Sequence, residues 1–192
     1  MGDPLVRNLA TIGGNLAHAD PANDHPATML ALDAEIVATS LDGERTIPAT
    51  AFFPDFFTSA LNPDEILTEI RIPVPSAGSG GAYIKLERKV GDFAIAGVAA
   101  HVTIGADGVC ERAGIGLTNV GPTPLKVPSA EAFLRGKHLD QDTIEHAAEL
   151  AVAVSQPEAD LRGSTAYKRD MVRVLTTRAL TRALARAQGQ AV

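Results

Sequence analysis

The chain has 192 residues, 45% of them hydrophobic, with 17 basic and 23 acidic side chains. That is enough apolar material for one large domain or two small ones, which excludes disorder throughout, and the net charge of −6 speaks against nucleic acid as a general partner. The single cysteine, Cys110, excludes a disulfide framework and any iron–sulfur or zinc site built from cysteines.

The first informative stretch runs from Val6 to Pro26. Gly13-Gly14, between Thr11 and Asn15, reads as a sharp turn before any helix, with backbone N–H groups directed outward where a phosphate can approach the main chain. The same residues also fit an irregular loop ahead of a helix. That helix is expected near 26–32, with Asn23 or Asp24 as its cap and Pro26 in its first turn.

Glu35–Thr39, Asp42-Gly43 and Arg45–Ile47 predict a hairpin. Phe52, Phe53, Phe56 and Phe57 are spaced around a helical turn, which predicts core rather than a cofactor-stacking box. Ile66–Ile72 alternates as a half-buried strand. The segment Pro73 to Gly81 is rich in Pro, Ser and Gly and marks the best domain boundary, giving expected domains at 1–75 and 76–192.

Beyond it, Ala82–Arg88, Ala96–Ile104 and Val109–Asn119 predict a three-stranded antiparallel meander, with Ala106-Asp107-Gly108 as a tight connection. Gly121-Pro122 and Pro124 end it. Cys110 falls in an apolar strand and reads as buried. Helices are expected at Pro128–Leu134 and after an Asp142/Glu145 capping box. A third starts at a Ser164 or Thr165 cap, with Met171, Leu175, Ala179, Leu180 and Leu184 on one face. From Ser164 onward six basic side chains stand against one acidic, leaving 11 basic and 22 acidic groups before it. We read most of that basic row, including Arg178, Arg182 and Arg186, as a solvated face. Strands followed by helices indicate an α+β fold.

No nucleophile–base pair and no metal-ligand spacing stands out; the five histidines are scattered. No catalytic or metal-binding residue is therefore assigned. With no signal peptide and no long apolar run, the expected location is the cytoplasm.

Three motifs carry a resemblance. Thr-Ile-Gly-Gly-Asn (11–15), followed by Ala-His-Ala-Asp-Pro-Ala-Asn-Asp (17–24), resembles the second FAD-binding motif of the flavoprotein, or medium, subunits of molybdenum hydroxylases. These are enzymes of the aerobic carbon monoxide dehydrogenase and xanthine dehydrogenase type. Lys85 to Ala96 and Asp160 to Arg169 fit the same family, in the same order. Members carry an earlier motif of the Ala-Gly-Gly-His-Ser type, which is not found before Thr11. The chain is thus expected to match the C-terminal two-thirds of such a subunit.

The resemblance implies the end of a FAD-binding domain of the PCMH type, then a three-stranded sheet covered by helices. It implies FAD as cofactor, a molybdenum-cofactor large subunit and an iron–sulfur small subunit as partners, and a hetero-oligomer. Thr11, Ile12, Gly13, Gly14 and Asn15 would line the pyrophosphate and ribityl region, and Asp24 would accept from the ribityl or ring portion unless it is only a helix cap. Lys85 would stand near the isoalloxazine edge or be a surface strand lysine. Phe93 would cover the ring face or belong to the core, and Leu67 would contact the flavin from the preceding strand. Asp92 would cap its turn. The Asp160–Arg169 signature implies a structural role or a subunit contact. The other reading is an assembly module that docks to partner subunits without flavin.

Overall fold

The computed structural model describes residues 4–190; residues 1–3 and 191–192, the ends of the two expected domains, lie outside it. Helices α1 (Pro4–Leu9), α2 (Ile12–His18) and α3 (Asp24–Ala31) come first. Then follow β1 (Glu35–Ser40), β2 (Gly43–Pro48), the short α4 (Ala49–Phe52) and β3 (Ile66–Arg71). These three strands form one antiparallel sheet in the order β2-β1-β3. Its core is Leu16, Met29, Leu30, Ile36, Ala38, Ile47, Phe52 and Phe53.

The second sheet joins β4 (Ser79–Leu86), β5 (Ala96–Ile104), β6 (Cys110–Thr118) and β7 (Leu125–Lys126), antiparallel and in sequence order. Helices α5 (Pro128–Leu134), α6 (Gln141–Val154) and α7 (Thr165–Ala187) complete the chain. The mixed α/β architecture is as expected, with a fourth strand added. At two residues, β7 is too short to leave a periodic trace, and it follows the prolines that end the meander.

Side-chain alternation explains how this sheet is clad. Ala96, Val98, Ala100 and Val102 of β5, with Ala113, Ile115 and Leu117 of β6, share the core with Val172, Leu175, Ala179 and Leu180 of α7. The alternate residue Ala99 faces the other way and meets Ala27 and Ala31 of α3. A sheet covered on both faces reads as a nearly unbroken apolar run.

Helix α3 lies directly on β6. A Cβ at Gly114 or Gly116 would run into the carbonyl oxygens of Ala31 and Ala27, so the two glycines leave the strip on which the helix backbone rests. Ion pairs fix both ends of this segment. Asp24 at its start pairs with Lys85, while Asp33 just past its end pairs with Arg112 and Lys126. The orientation of α3 across the second sheet is thereby set, and with it the position of Asp24.

Three local expectations are corrected. Residues 12–18 form a helix rather than a turn: Thr11 is its N-cap, accepting the Gly14 amide at 2.9 Å. Asp140, not Asp142, caps α6, its carboxylate accepting from the Thr143 amide at 2.8 Å. Of the four phenylalanines only Phe52 and Phe53 are buried. Helix α4 ends after one turn and Phe57 takes a left-handed backbone, so Phe56 and Phe57 reach the surface. There they line a cavity of about 560 Å³ with Asp160 and Lys168. The basic row of α7 is exposed at Arg178, Arg182 and Arg186, but Lys168 is 3% exposed and paired with Asp160. Cys110 is buried as expected. Among the described residues, no helix is long and apolar enough to cross a membrane.

Candidate functional site

Tyr83, Lys85 and Glu87 alternate along β4 and just beyond it, which brings all three to one face. That face meets the N-terminus of α3. Lys85 Nζ donates to Asp24 Oδ2 at 3.0 Å and to the Asp92 carbonyl at 2.8 Å, and lies 2.9 Å from Glu87 Oε2. The Tyr83 hydroxyl donates to the other Asp24 oxygen at 3.0 Å. Burial raises the Asp24 pKa and the Lys85 and Tyr83 contacts pull it down; it lies below the ordinary carboxylate value. Burial likewise opposes the charge on Lys85, yet Glu87 and Asp24 raise its pKa. At neutral pH the result is one ammonium between two carboxylates.

Asn23 does not cap α3 with its side chain. Its amide nitrogen instead donates to the Asn15 carbonyl at 2.9 Å, tying α3 back to α2. The side chain of Asn15 bonds His25 Nδ1 at 2.9 Å. Burial lowers the His25 pKa against the opposing pull of Asp24, so this imidazole is neutral at pH 7.

The opposite wall is the loop between β4 and β5. Gly91 has φ 85°, which turns the chain so that Asp92 Oδ1 accepts the Phe93 amide at 2.9 Å. Arg162, from the loop before α7, donates to the same oxygen at 3.2 Å and to the Phe93 carbonyl at 3.3 Å. Asp92 Oδ2 is buried without a hydrogen-bond donor among the described residues; Arg88 Nε lies 3.7 Å away. The Phe93 ring is 45% exposed. Between the walls lies a cleft of about 130 Å³, lined by Asn15, Asn23, Asp24, His25, Lys85 and Phe93 among others. Small-molecule pockets span roughly 300–1,000 Å³, so this cleft has room for only part of a ligand of that size. The Asp24 carboxylate on its lining suits a ligand rich in hydroxyl and N–H groups.

Asn15, Asp24, Lys85 and Phe93 are thus brought together. Thr11, Ile12, Gly13 and Gly14 sit one turn away at the start of α2, and Leu67 packs behind them. A Cβ at Gly13 would come 3.2 Å from Leu67 Cδ2, and one at Gly14 would crowd the capping Thr11 hydroxyl at 3.1 Å. Both glycines therefore have packing reasons. Asn23, His25, Tyr83 and Arg162 are site residues that sequence reasoning missed. For Tyr83 the signal was available, two residues before Lys85 on the same strand face.

A family model described as CO dehydrogenase flavoprotein C-terminal domain matches residues 81–183, and one described as FAD binding domain in molybdopterin dehydrogenase matches residues 1–75. The chain belongs to the CO dehydrogenase flavoprotein family. It is 44% identical to the carbon monoxide dehydrogenase medium chain of Afipia carboxidovorans, over 98% of this chain and 65% of that one. Against the 6-hydroxypseudooxynicotine dehydrogenase complex subunit alpha of Paenarthrobacter nicotinovorans it is 40% identical, over 96% of this chain and 62% of the other. Among solved structures, the carbon monoxide dehydrogenase of Hydrogenophaga pseudoflava superposes with a TM-score of 0.93 at 44% identity, covering 97% of this chain and 64% of that one. Quinoline 2-oxidoreductase of Pseudomonas putida gives a TM-score of 0.87 at 32% identity, covering 98% and 64%. The chain therefore spans just under two thirds of the length of each of these four relatives.

Proposed function

We propose that this chain is the FAD-holding part of the medium subunit of a molybdenum hydroxylase, located in the cytoplasm. It works with a molybdenum-cofactor large subunit and an iron–sulfur small subunit in a hetero-oligomer. FAD, when bound, takes electrons from the iron–sulfur clusters and passes them to an acceptor. The observation that carries the reading is the network Asp24–Lys85–Asp92. It joins the segment matched as FAD binding domain to the segment matched as flavoprotein C-terminal domain, at a cleft lined by Asn15, Asp24, Lys85, Asp92 and Phe93. On this reading residues 1–75 form the remainder of the FAD-binding domain and residues 76–192 the C-terminal domain.

Each residue then has a part. The backbone at Thr11, Ile12, Gly13, Gly14 and Asn15 offers amides to the pyrophosphate and ribityl region, with Leu67 backing the helix that carries them. Asp24 accepts from hydroxyl or N–H donors. Lys85 keeps Asp24 ionised and fixed; with two carboxylates around it, it supplies no free positive charge. Phe93 gives apolar cover to the ring system. The relatives are named for carbon monoxide, 6-hydroxypseudooxynicotine and quinoline chemistry, which supports a medium subunit that does not select the substrate.

The test is electron delivery in the assembled complex, under anaerobic conditions with the substrate of the large subunit. The flavin absorption band is expected to bleach after the iron–sulfur clusters are reduced. Clusters that reduce while no flavin band is present would instead favour the flavin-free assembly module.

A further inference from the structure

The Asp160–Arg169 signature has a construction that the cleft alone does not explain. Asp160 Oδ1 accepts the amides of Arg162 and Gly163, at 2.8 and 3.1 Å, which closes a tight loop. Its other oxygen takes Lys168 Nζ at 2.8 Å, and Lys168 is 3% exposed. The loop is thus fastened to the first turn of α7, whose cap is Ser164. Gly163 leaves room for the Tyr167 ring, where a Cβ would come within 2.8 Å. Leu161, at the loop tip, touches solvent only. What the loop presents inward is the Arg162 guanidinium, whose two terminal nitrogens reach the Asp92 side chain and the Phe93 carbonyl.

The Asp92–Phe93 segment is otherwise held by few groups. Lys85 takes the Asp92 carbonyl from below. Asn119 donates to the Ala94 carbonyl at 2.6 Å. Arg162 is the group that reaches both residues from outside the loop's own sheet, and its planar fork suits two acceptors at once.

The geometry points to Arg162 as a positioning residue, with the 160–169 loop as a brace that sets the Phe93 ring and the Asp92 carboxylate over the cleft. This rests on the cleft being the flavin site proposed above. The brace joins a loop on the sheet to α7, about 70 residues away in sequence, so the placement of Phe93 depends on the C-terminal helix being docked.

Amide hydrogen exchange on the intact chain, with and without FAD, separates the two claims. Without FAD, Arg162→Ala is expected to speed exchange at the Asp92 to Ala94 amides by about tenfold or more, the scale of a lost hydrogen bond to a charged group. Arg162→Lys, which keeps the charge and loses the fork, should recover part of the protection. Leu161→Ser should leave it unchanged, and β5 should stay protected in all three. Unchanged exchange at 92–94 in Arg162→Ala would overturn the brace, whatever FAD does. With FAD loaded, Arg162→Ala is expected to shift the flavin absorption envelope and its reduction potential and to speed FAD release about tenfold, with partial rescue by Lys. A faster loop with an unaltered flavin would overturn the positioning role. A wild-type chain that takes up no FAD would defeat the functional reading and the flavin half of this inference, while the exchange result still decides the brace.

Discussion

The two sheets differ in how they are covered. In the β4–β7 sheet, every residue of β5 from Ala96 to Thr103 is buried, because α7 closes one face and α3 the other. In the β2-β1-β3 sheet only the central strand is well covered; β2 buries Ile47 alone, and β3 has no buried residue. The candidate site lies at the seam between them. The double-clad sheet supplies Tyr83 and Lys85 from a rigid strand, and the lighter half supplies Asn15, Asp24 and His25 from helices pinned onto it. Rigidity on one wall and lower local stability on the other is an arrangement that lets a cleft keep its charges in place and still admit a ligand.

The largest expected effect comes from the lighter half itself. Phe52 is fully buried in its small core, and Phe52→Ala should cost about 4 kcal/mol. Exchange should rise in β1 while β5 stays protected; equal loss in both sheets would erase the distinction between them. Next is Gly116→Ala, which presses a methyl into the Ala27 carbonyl and should cost about 3 kcal/mol, the upper end for overpacking. Because it lifts α3 off the sheet, it should also weaken the Asp24–Lys85 contact. A melting temperature unchanged from wild type would show that α3 does not rest on the glycine strip.

Asp24→Asn follows, with an expected loss of about 2 kcal/mol at pH 7, from a hydrogen bond to a charged group. Its pH dependence sharpens the point. The folded Asp24 pKa lies below the ordinary 3.8, so its stabilisation is complete above that value and is lost as pH falls through the folded pKa. Urea melts from pH 6 downward should show the gap between wild type and variant narrowing once pH falls below 3.8. A constant difference across that range would assign the effect to packing instead. The smallest effect is Arg45→Ala on the lighter sheet. Arg45 reaches Glu65 at 2.6 Å and pulls the pKa of that carboxyl to about 2, but the arginine side chain is 44% exposed. Little or no loss of stability is expected, and a clear one would mean that the exposed strands depend on surface charge.

Much of the double-clad half was legible, because the nearly unbroken apolar run Ala96–Ile104 and the helical spacing from Met171 to Leu184 are strong patterns. The lighter half was less so. Gly13-Gly14 argues against helix on propensity, and only the packing of Leu67 against Gly13 makes the pair a helix requirement. At 140–145 the sequence offers two aspartates, and the spacing from Asp142 to Glu145 satisfied a capping pattern that the chain entry angle then assigned to Asp140. The aromatic spacing at 52–57 failed because α4 stops after one turn. In the site, the motif singled out Asp24, Lys85 and Phe93, whereas Arg162 meets Asp92 only through tertiary folding, and nothing local marks that contact.

The most direct measurement is the visible absorption spectrum of the purified protein after incubation with excess FAD and desalting, beside the Asp24→Ala variant. A cleft that seats the flavin predicts a retained flavin band in the wild type that is lost or strongly reduced in the variant. A wild-type protein that emerges colourless, or a variant that keeps the band undiminished, would contradict it.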